Sequence, residues 1–279
     1  MRRSLLCLLL LTASASAGEI KIAWWGQSMF EIVTPAGKRL VLDPHNLDAY
    51  RVRPMKADLV LMSHLHNDHT RMDVIENAKD AKQYNALKKS GDGDKDTEFN
   101  LVKETLGDIK FESLGTYHDE SGGLTRGKNG CWIMDIDGVR IVHLGDLGHT
   151  LTKPQLKKLG KVDVLMIPVG GVYTLNGITA QKVVEQVKPA RYVIPMHYGT
   201  AVYDDLLYLK YFTDEQPEGQ PTVRQKPLTW FKVDTKAKVP EKYTYAILDY
   251  QGSPPVIEKK KDKGKDKEPE KDKDAPKDK

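Results

Sequence analysis

The sequence has few cysteines. Only Cys7 and Cys131 occur in 279 residues, and Cys7 lies in an N-terminal apolar stretch that is predicted to be removed. An intramolecular disulfide is therefore excluded for the mature chain, and its stability must come from a buried core. Cys131 stands beside Trp132 and Ile133 in a strand-like run. This setting favours a buried, inert thiol over a catalytic one.

Long apolar runs are also absent. No segment approaches the ~20 apolar residues that a membrane-spanning helix needs, and the apolar stretch at residues 5–11 is too short. Two arginines precede that stretch, and the small residues Ala15-Ser16-Ala17 follow it. This pattern is typical of a signal peptide. We predict a signal peptide over residues 1–17, export to the periplasm or the medium, and no membrane span after cleavage at Gly18.

The central part of the chain lacks an excess of either charge. From Glu258 to Lys279 the sequence is mostly Lys, Asp and Glu, which predicts a disordered tail over residues 258–279. Without this tail and the two N-terminal arginines, 31 basic and 31 acidic residues remain. A balanced core disfavours a nucleic-acid partner and leaves a small-molecule substrate. Residues 18–257 are long enough for one large layered domain or two small ones.

One short apolar run ends in three histidines and an aspartate. Leu59–Met62 is apolar on both faces, which predicts a strand buried in a sheet, and the motif His64-x-His66-x-Asp68-His69 follows it. Side chains alternate along an extended chain, so His64 and His66 can bind one ion. Asp68 and His69 aim at a neighbouring point and can begin a second site. Imidazole and carboxylate are ligands for zinc and similar metals. The alternative is a solvated polar turn without a metal, but such a turn would not require three histidines and an aspartate at this spacing.

Later strand-like runs supply further donors. His118 follows the strand predicted at Ile109–Leu114 and is the natural third ligand for the ion at His64 and His66. Asp146 leaves a strand end between glycines and can place one oxygen on each of two ions. His197 follows another predicted strand and completes the second site. His143 competes with His118 but is favoured as a packed residue, and Asp43 is either an outer group of the site or an ordinary strand-end residue.

Strands and helices alternate along most of the domain. The dipeptide Asp137-Gly138 between two apolar runs predicts a β-hairpin. Four helices are predicted from apolar periodicity and capping residues. They cover Met72–Lys89, Pro154–Leu159, a segment from an N-cap at Thr179 to Val187, and Val202–Phe212.

These residues, in this order, resemble the metallo-β-lactamase fold superfamily. The segments Pro168–Thr174 and Ile194–Thr200 are similar to the branch that contains ascorbate-phosphate lactonases and many metal-dependent hydrolases. The resemblance implies an α/β fold, a four-layer αββα sandwich of two mixed sheets with metals at one edge. Gly26-Gln27-Ser28 departs from the Gly-His-Ser often present in that branch.

The ligand set predicts a two-ion hydrolase. Two divalent ions roughly 3.5–4 Å apart can share a hydroxide and stabilise the developing negative charge. The ions are expected to be zinc, with manganese as the alternative, and the bond an ester, lactone, amide or phosphodiester. Asp68 is the predicted catalytic residue, which orients the nucleophile or takes its proton. The alternatives are a metal-binding or sensing protein without turnover, and a phosphodiesterase or nuclease. The proposed ligands are His64, His66 and His118 for site one, Asp68, His69 and His197 for site two, and Asp146 as the bridge.

Overall fold

The computed structural model describes residues 18–93, 96–226 and 228–252. The predicted signal peptide at residues 1–17 and the predicted tail at residues 258–279 lie outside these ranges. Within them, no helix is both long enough and apolar enough to cross a membrane.

The described residues form sixteen strands, three α-helices and three short 3-10 helices. The strands are β1 Glu19–Trp24, β2 Phe30–Val33, β3 Arg39–Leu42, β4 Leu59–Met62, β5 Lys82–Asn85, β6 Leu87–Lys89, β7 Thr97–Phe99, β8 Lys103–Leu106, β9 Ile109–Tyr117, β10 Lys128–Ile136, β11 Val139–His143, β12 Val164–Pro168, β13 Tyr192–Met196, β14 Thr222–Arg224, β15 Phe231–Asp234 and β16 Thr244–Ile247. The α-helices are α1 Lys153–Leu159, α2 Gly177–Val187 and α3 Lys210–Thr213. The 3-10 helices cover Asp48–Tyr50, Asn67–His69 and Met72–Val74.

Two mixed sheets carry the fold. The first has six strands in the order β15-β1-β2-β3-β4-β5, and the second has eight in the order β14-β16-β13-β12-β11-β10-β9-β8. Strand β4 is parallel to β3, and β11, β12 and β13 run parallel to one another. Parallel neighbours deliver their carboxyl ends to the same edge of a sheet. The predicted Asp137-Gly138 hairpin is confirmed, because β10 and β11 pair around it and both turn residues have positive φ.

The sheets pack face to face over one apolar core. Leu59 and Leu61 of β4 point into that core, together with Trp132 of the second sheet. Val60 and Met62 point the other way, into a smaller outer cluster. Strand β4 is therefore buried on both faces, as its continuous apolar sequence predicts. Mixed sheets with helices confirm the predicted α/β sandwich. Residues of the three α-helices are absent from the outer cluster of the six-stranded sheet, which includes the 3-10 residue Val74 and residues of turns.

The helix predicted at Met72–Lys89 is wrong. The segment instead forms a 3-10 turn at Met72–Val74, a run of turns, and strands β5 and β6. Val74, Ile75 and Ala81 are buried as predicted, but they pack on the outer cluster from turns. Backbone bonds explain the difference, since β5 joins β4 in the sheet and Met55 N–H donates to the Val74 carbonyl.

The helix predicted at Val202–Phe212 is also wrong, because only Lys210–Thr213 is α-helical. Leu207 N–H donates to the carbonyl of Gly170, and Gly199 N–H donates to the carbonyl of Leu207. These bonds tie the segment to a neighbouring loop and take the groups that a helix would use.

The other two predicted helices are present in the structure. The helix predicted at Pro154–Leu159 is confirmed as α1. The helix ending at Val187 is also present, but its N-cap is Asn176 rather than Thr179. The Asn176 side chain accepts a hydrogen bond from the Thr179 backbone N–H, so α2 begins two residues before the predicted cap.

Candidate metal centre

Four strand ends converge on one edge of the sandwich. The motif from His64 to His69 follows β4 of the six-stranded sheet. His118, Asp146 and His197 follow β9, β11 and β13 of the eight-stranded sheet. The site therefore lies between the two sheets and takes donors from both.

The structure brings every predicted ligand together. Their donor atoms form three groups in which all atoms lie within 4.8 Å of one another. The first and third groups correspond to the two predicted sites, and the second group links them through Asp146. The groups are His64, His66 and His118; His64, His69 and Asp146; and Asp68, His69 and His197.

One carboxylate oxygen lies at the middle of this arrangement. Asp146 Oδ2 is 3.3 Å from Nε2 of His69, 3.3 Å from Nε2 of His118 and 3.3 Å from Nε2 of His197. Its other oxygen accepts a hydrogen bond of 2.9 Å from Ser28 Oγ, which fixes the rotation of the carboxylate. Oδ2 is thus held facing imidazoles that belong to different groups.

These residues fit divalent metal. Two ligands bound to one zinc at about 2.1 Å each, with a near-tetrahedral angle, lie roughly 3.4 Å apart. The 3.3 Å separations around Asp146 agree with that value. His69 Nε2 is buried and has no hydrogen-bond partner among the described residues. Buried polar atoms normally have a partner, so this orphaned nitrogen indicates a missing ligand.

Asp43 orients one histidine of each proposed metal site, His69 directly and His64 through Ser63. Its Oδ2 lies 3.0 Å from His69 Nδ1 and also accepts a hydrogen bond of 2.7 Å from Ser63 Oγ. Ser63 Oγ in turn lies 2.8 Å from His64 Nδ1. When Nδ1 of each ring carries the proton toward Asp43 or Ser63, Nε2 presents its lone pair to the site. The predicted outer role of Asp43 is consistent with this geometry, whereas the sequence analysis missed Ser63.

Asparagine at position 43 should weaken metal binding without disturbing the turn. Asp43 has φ 44°, which asparagine tolerates. An amide, however, carries no negative charge beside His69, and its NH2 group cannot accept the hydrogen bond of the Ser63 hydroxyl. Losing such an outer partner typically costs about 10–100-fold in metal affinity or activity. Competition with a chromogenic chelator measures the affinity. Asp58→Asn is the control, because Asp58 binds Lys38 and Arg39 instead of a histidine. Equal affinities in the two variants would contradict the role of Asp43.

His143 is a packed residue. It is fully buried, its Nε2 lies 2.8 Å from the Ser28 carbonyl, and its Nδ1 accepts the Gly145 backbone N–H. Both ring nitrogens are therefore engaged with backbone. Burial lowers the pKa of His143, although Asp43 opposes the shift. This arrangement supports the predicted choice of His118 over His143 as a candidate ligand.

The backbone next to Asp146 requires a glycine. Gly145 has φ 55°, and a Cβ there would lie 2.5 Å from Asn129 Oδ1 and 2.7 Å from Ser63 Cβ. The same Asn129 Oδ1 accepts the Asp146 backbone N–H at 2.9 Å. Glycine thus lets the chain pass close to Ser63 while the buried Asn129 holds the Asp146 backbone. Ser63 and Asn129 belong to no recognisable sequence pattern, and the sequence analysis missed them. Ser28 is the serine of Gly26-Gln27-Ser28, but nothing in the sequence indicated its bond to Asp146.

The charges of the site favour a cation. Burial lowers the pKa of the His64 imidazole well below its usual range, and His69 adds to the effect. Burial alone would raise the pKa of Asp146, but His197 and His69 hold it well below its usual range. Burial alone would lower the pKa of His69, yet Asp146 and the two other nearby carboxylates raise it well above its usual range. His64 is therefore neutral and has a lone pair for a metal, whereas the carboxylates around His69 favour a positive charge that a divalent cation would supply in place of a proton.

A cavity of about 380 Å³ opens over these donors. Asp68 lines it with a side chain that is 39% exposed. Two loops complete the wall and contribute Thr125, Arg126 and Tyr173, which the sequence analysis did not single out. The other lining residues are His66, His118, Asp146 and His197.

The loop after His118 is shaped by one carboxylate. Asp119 accepts backbone N–H bonds from Ser121, Gly123, Thr125 and Arg126 at 2.6–3.0 Å. Burial would raise the pKa of Asp119, but these four donors outweigh it and hold the pKa below its usual value. The carboxylate therefore remains charged and fixes the loop at the cavity wall.

Comparison with known proteins identifies the family of the chain. Residues 21–197 match the family model described as the beta-lactamase superfamily domain. The chain belongs to the metallo-β-lactamase superfamily.

Similar proteins include ones named as metal-dependent hydrolases. A UPF0173 metal-dependent hydrolase of Thermococcus onnurineus is 32% identical over 195 residues, which cover 65% of this chain and 85% of that protein. A UPF0173 protein of Pyrococcus furiosus is 31% identical over 226 residues, covering 77% of this chain and 95% of that protein. A solved Thermotoga maritima protein, described as a Zn-dependent hydrolase of the same superfamily, is 26% identical with a TM-score of 0.58, covering 82% of this chain and 100% of that chain. The predicted family and hydrolase class are confirmed.

Proposed function

We propose that the protein is a hydrolase that uses two divalent ions to cleave an ester, lactone, amide or phosphodiester bond. The observation that carries the proposal is the position of Asp146 Oδ2, 3.3 Å from three imidazole nitrogens of different donor groups. Site one would be held by His64, His66 and His118, and site two by Asp68, His69 and His197, with Asp146 shared. Zinc is the favoured ion for this nitrogen-rich set, and manganese is the alternative.

The chain itself supplies a proton acceptor and a shaped cavity. Bound divalent ions would lower the pKa of water toward ~7 and stabilise negative charge on the substrate oxygen. Asp68 is the exposed carboxylate of the cavity, so it is placed to orient the attacking water or take its proton.

The attacking nucleophile in the proposed reaction is water and not a side chain. Cys131 is fully buried, and burial raises the pKa of its thiol to about 12. Ser28 and Ser63 donate their hydroxyl protons to Asp146 and Asp43. These contacts leave the attack to water.

An exported enzyme with a small-molecule substrate fits the remaining features. The cavity of about 380 Å³ is in the range typical of small-molecule sites. The balanced charge of residues 18–257 does not favour nucleic acid as a substrate. The N-terminal sequence supports a location in the periplasm or outside the cell.

The test is a hydrolase panel on the metal-loaded chain. We expect zinc- or manganese-loaded protein to cleave at least one of an aryl ester, a lactone, an amide and a phosphodiester. A chelator should abolish that activity, and added metal should restore it. Tight metal binding without turnover on any substrate would favour the metal-binding or sensing alternative. Cleavage confined to nucleic acid and simple phosphodiesters would favour the nuclease alternative.

A further inference from the structure

A second cavity adjoins the one over the metal ligands. It has a volume of about 300 Å³ and shares His118, Thr125, Arg126 and Tyr173 with the first. Arg126 and Tyr173 thus belong to the wall of both cavities. A substrate whose reacting bond lies over the donor cluster can extend past them into the second cavity.

Arg126 is held in place from two sides. Its backbone N–H donates to Asp119 Oδ2 at 2.6 Å, and its Nη2 donates to the Val172 carbonyl at 2.8 Å. The guanidinium carbon lies 5.8 Å from the centre of the Tyr173 ring, within the range of a cation–π contact. The two loops therefore fix the direction of the side chain before a ligand arrives.

The charge of Arg126 is not neutralised by the protein. Among the described residues, Arg126 forms no ion pair. Of the five N–H donors of a guanidinium, only one has a described partner, the Val172 carbonyl. A positioned arginine with unused donors is suited to bind a planar carboxylate or a phosphate. By contrast, ion pairs with carboxylates are present at Arg39, Arg71, Arg140 and Arg191.

The rest of the second cavity is polar with little free negative charge. Its hydroxyl and amide groups come from Ser121, Thr125, Thr174, Asn176 and Thr179. The Thr174 hydroxyl oxygen is buried and has no hydrogen-bond partner among the described residues. Asp119 also lines the cavity, but its carboxylate is occupied by four backbone N–H groups. Glu120 is the other acid and is exposed.

We propose that Arg126 selects substrates that carry an anionic group, a carboxylate or a phosphate, and binds that group in the second cavity while the reacting bond lies over the metal ligands. This inference rests on the proposed hydrolase function. It identifies Arg126 as a specificity residue and predicts that neutral substrates of the same reactivity are used less well. A charge-assisted hydrogen bond contributes about 1.5–3 kcal/mol, so the preference should be about tenfold or more.

Matched esters test the inference on the zinc-loaded full chain. The substrates are mono(4-nitrophenyl) adipate, 4-nitrophenyl phosphonoacetate and the neutral methyl 4-nitrophenyl adipate, and the rate of each without enzyme is subtracted. In the wild type, kcat/KM for the better anionic ester should exceed that for the neutral ester by about tenfold or more. Arg126→Met should remove most of this ratio, and Arg126→Lys should keep part of it. The carboxylate and phosphonate esters show which anion is preferred.

Two controls keep the result interpretable. Arg224→Ala removes another arginine that forms no ion pair with any described residue. Arg224 lines a cavity that shares no lining residue with these two, so the variant should leave the ratio unchanged. A binding assay needs no turnover: acetate and methylphosphonate are titrated calorimetrically into the zinc-loaded proteins. The preferred anion should bind at least about tenfold more weakly to Arg126→Met than to the wild type.

The outcomes separate the two proposals. An unchanged ester ratio in Arg126→Met, with hydrolysis intact, overturns the role of Arg126 and leaves the hydrolase proposal standing. Absence of turnover on every ester counts against ester hydrolysis, and the anion titration then decides the role of Arg126 alone. Equal anion affinities in the wild type and Arg126→Met overturn the inference.

Discussion

The Asp146→Ala variant is expected to lose both metal ions and to have a kcat/KM lower by on the order of 10³-fold or more. The reason for the size is that removing even one group that stabilises a transition state costs about 10²–10³-fold. The expectation follows from the single oxygen that lies 3.3 Å from His69, His118 and His197. No other described carboxylate faces imidazoles of both proposed sites at this distance. Metal content per chain by mass spectrometry and turnover of the substrate found in the panel measure the effect.

Asp163→Asn is the matched control for Asp146. Asp163 is also largely buried, but it precedes β12 and accepts the Arg140 backbone N–H instead of facing imidazoles. Its replacement should reduce stability and leave the metal content at the wild-type value. If Asp146→Ala retains the wild-type metal content, Asp146 is not the shared ligand.

His64→Ala combined with His66→Ala should remove one ion and leave the other in place. Both residues belong to the group completed by His118, whereas Asp68, His69 and His197 form a separate group. Activity should fall on the order of 10³-fold or more even though one ion remains, because a two-ion mechanism stabilises both the attacking and the leaving oxygen. Elemental analysis gives the stoichiometry, and the panel substrate gives kcat/KM.

The complementary variant and a histidine control complete that experiment. Asp68→Ala combined with His197→Ala should remove the other ion and leave the site at His64 and His66 occupied. His149→Ala is the control, because His149 lies outside all three donor groups and accepts the Tyr117 backbone N–H. An unchanged metal content in the His64 and His66 double variant would refute the assignment of site one.

The sequence predicted the candidate ligands because each follows a predicted strand. His64 and His66 follow β4, and His118 and His197 follow β9 and β13. Apolar runs are local signals, and a donor directly after one is carried to the edge of the sheet. The convergence of these strand ends then depends only on the fold, which the family resemblance supplied.

The sequence did not predict the two serines of the site, whose roles depend on long-range contacts. Ser28 and Asp146 are 118 positions apart, and Asp43 and Ser63 are 20 positions apart. The positions of these serines in the sequence follow no periodicity or spacing that would predict such a hydrogen bond. Arg126 was missed for the same reason, since its position depends on a loop folded around Asp119.

The two wrong helices have a related cause. Val74, Ile75, Ala78 and Ala81 have a spacing that fits a helix face, but the same residues also fit turns packed on a sheet. Strand pairing of β5 with β4 decided between the two structures, and that pairing is invisible in local periodicity. The segment after Val202 is similarly fixed by backbone bonds to the loop at Gly170.

The placement of the donors between the sheets has a mechanical consequence. His64 to His69 follow a strand of the six-stranded sheet, whereas His118, Asp146 and His197 follow strands of the eight-stranded sheet. The proposed ions would therefore clamp the two halves of the sandwich together, much as a disulfide does, in a chain whose one described cysteine is free and buried. Because ligands that bind only the folded state stabilise it by mass action, separation of the sheets would be coupled to release of the ions.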